Sequence, residues 1–400
     1  MFLSTGLRSA LAAAAEDQIV YDLAGIEDRY DSLVRELPGV SVRFAMKACP
    51  VDEVLALLAG KGAGFDAASP NEVAQALRTG VPVGWVHYGN TVKSDRNIAD
   101  AYRLGVREFV TDSREDVAAV AAHAPGSRVF CRVATTGDGA LWGLRDKCGC
   151  SVTDAVLVLA AAKDLGLAPA GLSVHVGSQQ MTAAGWKSAV EDLVEAVTAL
   201  DRRGIGIDHV NLGGGLPALG YLDRQGRPLS PPTGDIFDAV RSGMRQLRQA
   251  SRGHLDFVLE PGRHLVADHG AIRAHVSRLS ARQLLTGERQ HWLYLSCGKF
   301  NGLYEMDLLR YPLVFPSHRG GEYVPAVVAG PTCDSDDAFS RGESRVLVPK
   351  AAASGDPVWI LSCGAYATSY TTLGFNGFAP LPYTAVGDAP VRPLGRGADR

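Results

Sequence analysis

No run of lysine and arginine occurs in this sequence, and no apolar stretch approaches the length of a membrane span. The first absence removes the electrostatic footprint of a nucleic-acid or anionic-membrane partner, and a formal net charge of −3 would attract neither. The second argues against a transmembrane helix. The alanine-rich start, Ser9 to Ala15, is too short for the apolar region of a secretory signal. A cytoplasmic protein is therefore expected. Paired CxxC spacing is also missing. The seven cysteines (Cys49, Cys131, Cys148, Cys150, Cys297, Cys333 and Cys363) form an odd set, and Cys148-Gly149-Cys150 has no second pair or nearby histidine to complete a zinc site. No structural metal is expected, and most of the thiols are read as reduced.

What is present is the composition of an ordinary soluble protein, 46% hydrophobic and 21% charged, in a chain of 400 residues that can hold two or three domains. Short β-branched apolar runs alternate with helical patterns. Val40–Met46, Gly64–Ser69, Trp85–Gly89, Glu108–Asp112, Arg128–Ala134, Gly171–Gly177, Asp208–Gly214 and Asp256–Glu260 read as strands. Eight strand–helix units over about 240 residues predict an α/β fold, a (β/α)8 TIM-like barrel in preference to an open doubly wound sheet. Beyond Arg263 the pattern changes to strands and loops: Ala271–Leu279, His291–Leu295, Tyr323–Val328, Arg345–Val348 and Pro357–Leu361. A C-terminal β-rich domain, sandwich-like or barrel-like, is expected there. The strand-like Gln18–Leu23 precedes the barrel and is expected to add a strand to that β-rich domain. The expected division is 1–22 with the β domain, 23–265 as the barrel and 266–400 as the β domain.

In such a barrel the chemistry lies at the C-terminal strand ends. Lys47, Asp66, Ser69, His175, Gly177, Ser178, Gly213, Gly214, Gly215, Glu260 and Arg263 all fall there. Lys47 ends the apolar run Phe44-Ala45-Met46 and is either a snorkelling surface lysine or an amine suited to a Schiff base. Gly213–Gly215 offers backbone N–H groups to a phosphate. It also matches G-x-G-x-x-A, but Pro217 inside the motif and the position at the seventh strand speak against a dinucleotide site. Glu260 and Arg263 place a carboxylate and a guanidinium on one tight loop, as an ion pair or as two ligand-binding groups. His175, between valines, is either a satisfied core residue or a ring that faces a cofactor.

These segments, Phe44-Ala45-Met46-Lys47, Phe65-Asp66-Ala67-Ala68-Ser69, His175-Val176-Gly177-Ser178, Gly213-Gly214-Gly215, Glu260-Pro261-Gly262-Arg263, Gly330-Pro331-Thr332-Cys333-Asp334 and Gly364-Ala365-Tyr366, resemble in this order the fold-type III pyridoxal-phosphate (PLP) decarboxylases. The ornithine and ornithine/lysine decarboxylases are the nearest match, over about Ile19 to Phe378, and Lys299-Phe300-Asn301-Gly302 and Gly374–Phe378 point to the bacterial branch. The resemblance implies PLP as cofactor, bound as a Schiff base to Lys47. His175 would stack on its ring and Glu260 would pair with the ring nitrogen. Ser178, Gly213, Gly214, Gly215, Arg263 and Tyr366 would bind its phosphate, with Asp66, Glu72 and Arg132 in support. It further implies a homodimer with shared active sites, in which Cys333 of one subunit protonates the product carbanion and Asp334 holds the distal ammonium of a basic amino acid.

L-Ornithine, giving putrescine and CO2, is the leading substrate, in polyamine biosynthesis or elsewhere. One departure bears on it. Where the family carries a second acid, this chain has Ser296 and Cys297, leaving Asp334 alone or helped by Asp336 or Asp337. Lysine, diaminopimelate and arginine remain alternatives, as does a catalytically silent regulatory homologue. The diaminopimelate branch carries Cys-Glu-Ser where this chain has Cys333-Asp334-Ser335.

Overall fold

The computed structural model describes residues 3–143, 147–339 and 344–387, which form two compact units. One comprises residues 27–217 and 231–262 and is an α/β barrel. Its eight strands are β1 (Val40–Ala45), β2 (Gly64–Ala67), β3 (Val86–Tyr88), β4 (Glu108–Thr111), β5 (Arg128–Arg132), β6 (Ala168–Ser173), β7 (His209–Asn211) and β8 (Asp256–Leu259). They pair in parallel in that order, and β8 returns to β1 with Phe257 opposite Val40 and Leu259 opposite Val42. The aromatic rings that marked these runs as strands, Phe44, Phe65, Phe109, Phe130 and Phe257, are all fully buried.

Helices fill the connections. Four of them start on a serine that accepts a backbone N–H of the first turn: Ser69 from Glu72, Ser94 from Asn97, Ser113 from Asp116 and Ser151 from Asp154. Such a cap contributes about 1 kcal/mol to its helix. At Ser69 the exchange is extended, because the Glu72 carboxylate accepts the N–H of Ala68 at 2.6 Å. The strands end two to four residues earlier at β2, β5, β6 and β7 than periodicity predicts. There the chain leaves the ladder to build loops, and Ala140–Trp142 and Ser178–Gln180 pair as an antiparallel ribbon that the sequence did not signal. Cys150 also finds a partner, its Sγ 3.6 Å from that of Cys131 on β5.

The other unit comprises residues 3–26, 218–230 and 263–387 and is built on a nine-stranded sheet. Gly270–Gln283 is its spine. Antiparallel to it run Gln18–Asp22, Arg289–Leu295 and Pro357–Ile360, and Tyr323–Ala329 continues the sheet parallel to Arg289–Leu295. The Ala-rich start is a helix, Thr5–Ala13, capped by Ser4, and it buries Leu7 and Leu11 against Val20, Ala271, Trp359 and Leu361. The i, i+4 leucines were its signal. Residues 218–230, placed by sequence order inside the barrel, group with the sheet. Leu222 exchanges backbone hydrogen bonds with Arg310, and the Asp268 carboxylate accepts the N–H groups of Leu219 and Gly220. Among the described residues no helix is long and apolar enough to cross a membrane.

Candidate active site

Four barrel strands bring polar side chains together at one point. Asp66 lies within β2, in register with His87 of β3, so both face the same side of the sheet. Asn211 ends β7 and Glu260 directly follows β8. His87, 1% exposed, sets its Nε2 2.9 Å from Glu260 Oε1 and 3.3 Å from Asp66 Oδ1. Asn211 Nδ2 donates to the same Glu260 oxygen at 2.5 Å. Asp66 fits only because residue 89 is glycine: a Cβ there would fall 1.8 Å from Asp66 Oδ1. Burial raises the Asp66 pKa, but His87 and then the Lys47 and Arg132 cations outweigh it, so the carboxyl lies below its usual range.

The loops after β6 and β7 meet beside this cluster. Gly213 has φ +74°, and a Cβ on it would lie 1.9 Å from Val174 O. Its N–H donates to Asn211 Oδ1 at 2.8 Å, and its carbonyl accepts the N–H of Glu260 at 2.9 Å. The N–H groups of Gly214 and Gly215 meet no protein acceptor among the described residues. A Cβ on Gly214 would lie 2.9 Å from His175 Nε2. This is a bare amide cradle suited to an anion. Gly177 N–H donates to His175 Nδ1 at 3.1 Å, which puts the proton of a neutral ring on Nε2. Burial first, then Arg132 and Lys47, hold the His175 pKa well below the usual value, so the ring is uncharged at neutral pH. Lys47 stands in a single turn of 3-10 helix, Met46–Ala48, directly after β1. Its neighbours Met46 and Ala48 are buried while Lys47 is exposed at the barrel mouth, not sunk into the interior.

Arg132 ends β5, and Ser178 begins the ribbon strand next to the loop of His175. A carboxylate, an uncharged ring, an exposed amine and an anion cradle fit the parts of PLP: ring nitrogen, ring face, aldehyde and phosphate.

The remaining expected residues belong to the sheet unit. Arg263 is buried, and its guanidinium is held by both oxygens of Glu305, with Nη2–Oε1 at 2.6 Å, and by the Tyr221 hydroxyl at 3.0 Å. The Tyr366 ring lies 4.7 Å from the guanidinium carbon. Cys333 and Asp334 are exposed on a tightly held segment. Asn376 Oδ1 accepts the N–H of Cys333 at 3.0 Å. Asp337 accepts the N–H and hydroxyl of Thr332 at 3.0 and 2.6 Å, and the N–H of Lys299 at 2.7 Å. That engagement corrects the expectation of Asp337 as a helper of Asp334: the residue is 2% exposed and its carboxylate is committed to Thr332 and Lys299. Ser296 Oγ accepts the N–H of His275 at 2.9 Å. Burial, then Asp17 and Asp337, push the Cys297 thiol far up, so it stays uncharged.

Sequence reasoning missed His87, Asn211, Tyr221 and Glu305. For the first two a signal existed: a histidine and an asparagine interrupt the apolar runs Val86–Tyr88 and Val210–Leu212, where a buried parallel strand is normally continuous.

Comparison with known proteins agrees with this geometry. Residues 23–267 match the family model "Pyridoxal-dependent decarboxylase, pyridoxal binding domain". The lysine/ornithine decarboxylase of Selenomonas ruminantium is 31% identical over 377 residues, covering 93% of this chain and 90% of that protein. The diaminopimelate decarboxylase of Pseudomonas aeruginosa is 30% identical over 374 residues, covering 89% and 85%. Among solved structures, the Vibrio vulnificus lysine/ornithine decarboxylase complexed with cadaverine superposes with a TM-score of 0.83 at 27% identity, covering 97% of this chain and 100% of that one. The chain therefore belongs to the pyridoxal-dependent basic amino acid decarboxylases of fold type III.

Proposed function

We propose that this enzyme decarboxylates L-ornithine to putrescine and CO2. The observation that carries the reading is Asp334: an exposed carboxylate that directly follows Cys333, on a segment fixed from one side by Asn376 and from the other by Asp337. A carboxylate held where the substrate side chain extends favours a cationic end over a neutral one, because an unpaired charge in a partly desolvated pocket is costly.

Bound PLP supplies an electron sink for the pair left when CO2 departs. The chain's residues supply the rest. Lys47 holds the cofactor through its amine. Glu260 would pair with the ring nitrogen, and uncharged His175 would cover the ring face. Gly213, Gly214, Gly215 and Ser178, with Arg263 and Tyr366, bind the phosphate. Arg132 and Asp66 set the charge around Lys47, and Glu72 caps the adjoining helix. Cys333 and Asp334 act from a second copy of the chain, which suits their exposure. The Cys333 thiol delivers the proton to Cα, and Asp334 binds the distal ammonium.

L-Lysine is the second reading, and one observation favours it. Neither Ser296, bound to the His275 backbone, nor the neutral Cys297 adds a second charge to the clamp, so discrimination by chain length is loose. Product analysis on L-ornithine, L-lysine, L-arginine and meso-diaminopimelate with added PLP tests the proposal. The expected order of kcat/KM is ornithine, then lysine. Asp334→Ala should raise KM for ornithine sharply and affect norvaline less. Turnover of meso-diaminopimelate with none of the other three would overturn the substrate.

A further inference from the structure

His87 lies outside every motif on which the family resemblance rests, yet it occupies the centre of the acidic cluster. The nearest oxygens of Asp66 and Glu260 and the His87 nitrogen fall within 4.8 Å of one another, with Asp66 6% exposed and the Glu260 side chain 14% exposed. Two carboxylates so close and so dry do not both ionise unless a cation lies between them. We propose that His87 is a positioning residue of this decarboxylase, a cation set between Asp66 and Glu260 that holds Glu260 oriented as the partner of the cofactor's ring nitrogen.

Three features support this. First, Nε2 must carry a proton, since a bare lone pair 2.9 Å from one carboxylate oxygen and 3.3 Å from another would be repelled by both. Neither contact has hydrogen-bond geometry, so His87 acts on the two carboxylates through its charge rather than through a directed bond. Second, His87 and Asn211 both engage Glu260 Oε1, and Oε2 takes no protein hydrogen bond among the described residues. That division leaves one defined oxygen for a ligand. Third, burial alone would push His87 down, but Asp66 and Glu260 reverse this and raise its pKa to about 9, so the cation persists across the neutral range. The other groups acting on the cluster are Arg43 of β1, Glu108 of β4, Arg132 of β5, Lys47, Glu72 and His175. The Phe130 ring of β5 closes the remaining side, 5.2 Å from the imidazole.

The inference rests on the assignment of Glu260 to the ring nitrogen, and the test separates the two. Holoenzyme carrying cofactor labelled with 15N in the ring is compared for wild type, His87→Gln, His87→Leu and Glu260→Gln. His87→Gln keeps the volume and a donor but removes the charge. Both His87 variants should move the ring-nitrogen resonance toward that of Glu260→Gln. His87→Gln should lower kcat about 10- to 100-fold with KM within about twofold. The basic limb of its kcat profile should lack the step near pH 9 that the proposal expects in wild type. A wild-type resonance and pH profile in folded His87→Gln, with Glu260→Gln shifted, would overturn the role of His87 alone. An unshifted Glu260→Gln would overturn the assignment of Glu260 and the inference with it. Stoichiometric divalent metal in wild type that is lost in His87→Gln would also overturn it, by making the three residues a ligand set.

Discussion

Asn211 fixes Glu260 to the glycine loop: its amide nitrogen donates to Glu260 Oε1 at 2.5 Å, while its Oδ1 accepts the N–H of Gly213 at 2.8 Å. One side chain thus ties the Glu260 carboxylate to the glycine amides. Asn211→Ala leaves a buried N–H unsatisfied and Glu260 less restrained, which costs about 1–3 kcal/mol. Asn211→Asp has nearly the same shape but places a carboxylate against Glu260. We expect weaker PLP binding in both variants and the weaker of the two in Asn211→Asp, measured by titrating cofactor into apoenzyme. Wild-type affinity in Asn211→Asp would show that the link is not used.

Arg263 and Glu305 form a buried pair, with side chains 4% and 6% exposed. Removing one partner strands the other charge, so Glu305→Ala should lower stability by about 3–5 kcal/mol. Replacing both, as Arg263→Met with Glu305→Leu, should recover much of that loss, and on the phosphate role proposed for Arg263 cofactor retention should stay poor. Denaturant midpoints and the ratio of bound cofactor to protein, read on the same samples, separate the two effects. Full cofactor occupancy in the double variant would remove Arg263 from the phosphate site.

The raised pKa of His87 also has a consequence for stability. Its ordinary value is 6.5 and its folded value about 9, so the stabilisation is fully present below about pH 6.5 and is lost as pH rises through about 9. The amount at stake is at most about 3 kcal/mol. Urea unfolding from about pH 6 to pH 10 should show wild type losing this increment relative to His87→Gln, most of it between pH 7 and 9. Parallel curves for the two proteins would mean that His87 does not gain its proton on folding.

The barrel was legible because its eight core strands are short, mostly apolar and β-branched runs that alternate with helical patterns. The site residues carried by short motifs, Lys47, His175, Gly213–Gly215 and Glu260, could be found for the same reason: each follows a recognisable strand. What could not be read were partners distant in sequence. Glu305 reaches Arg263 across 42 residues and Asn211 reaches Glu260 across 49, and no periodicity connects them. The short strands Leu313–Val314 and Ala338–Phe339 carry too few residues for a pattern. Asp336 and Asp337 looked equivalent as helpers of Asp334, and only the fold separates Asp337, already engaged by Thr332 and Lys299, from the exposed Asp336.

The exposure of Cys333 and Asp334 gives the last prediction, which concerns assembly. If these residues complete the site of a partner subunit, Lys47 of one chain works with Cys333 of the other. Lys47→Ala should lose the cofactor adduct trapped by borohydride and nearly all decarboxylation. Cys333→Ala should keep the adduct but form amine slowly. In a mixed dimer of the two variants, one site then carries both lesions and the other carries none. Random reassociation makes about half the dimers mixed, each with one intact site, so roughly a quarter of wild-type activity should return. If both residues instead come from the same chain, every site keeps one lesion, and mixing restores nothing above the parents' residual rates. Sedimentation of the mixture, run alongside the assay, establishes that mixed dimers formed and so gives a negative result its meaning.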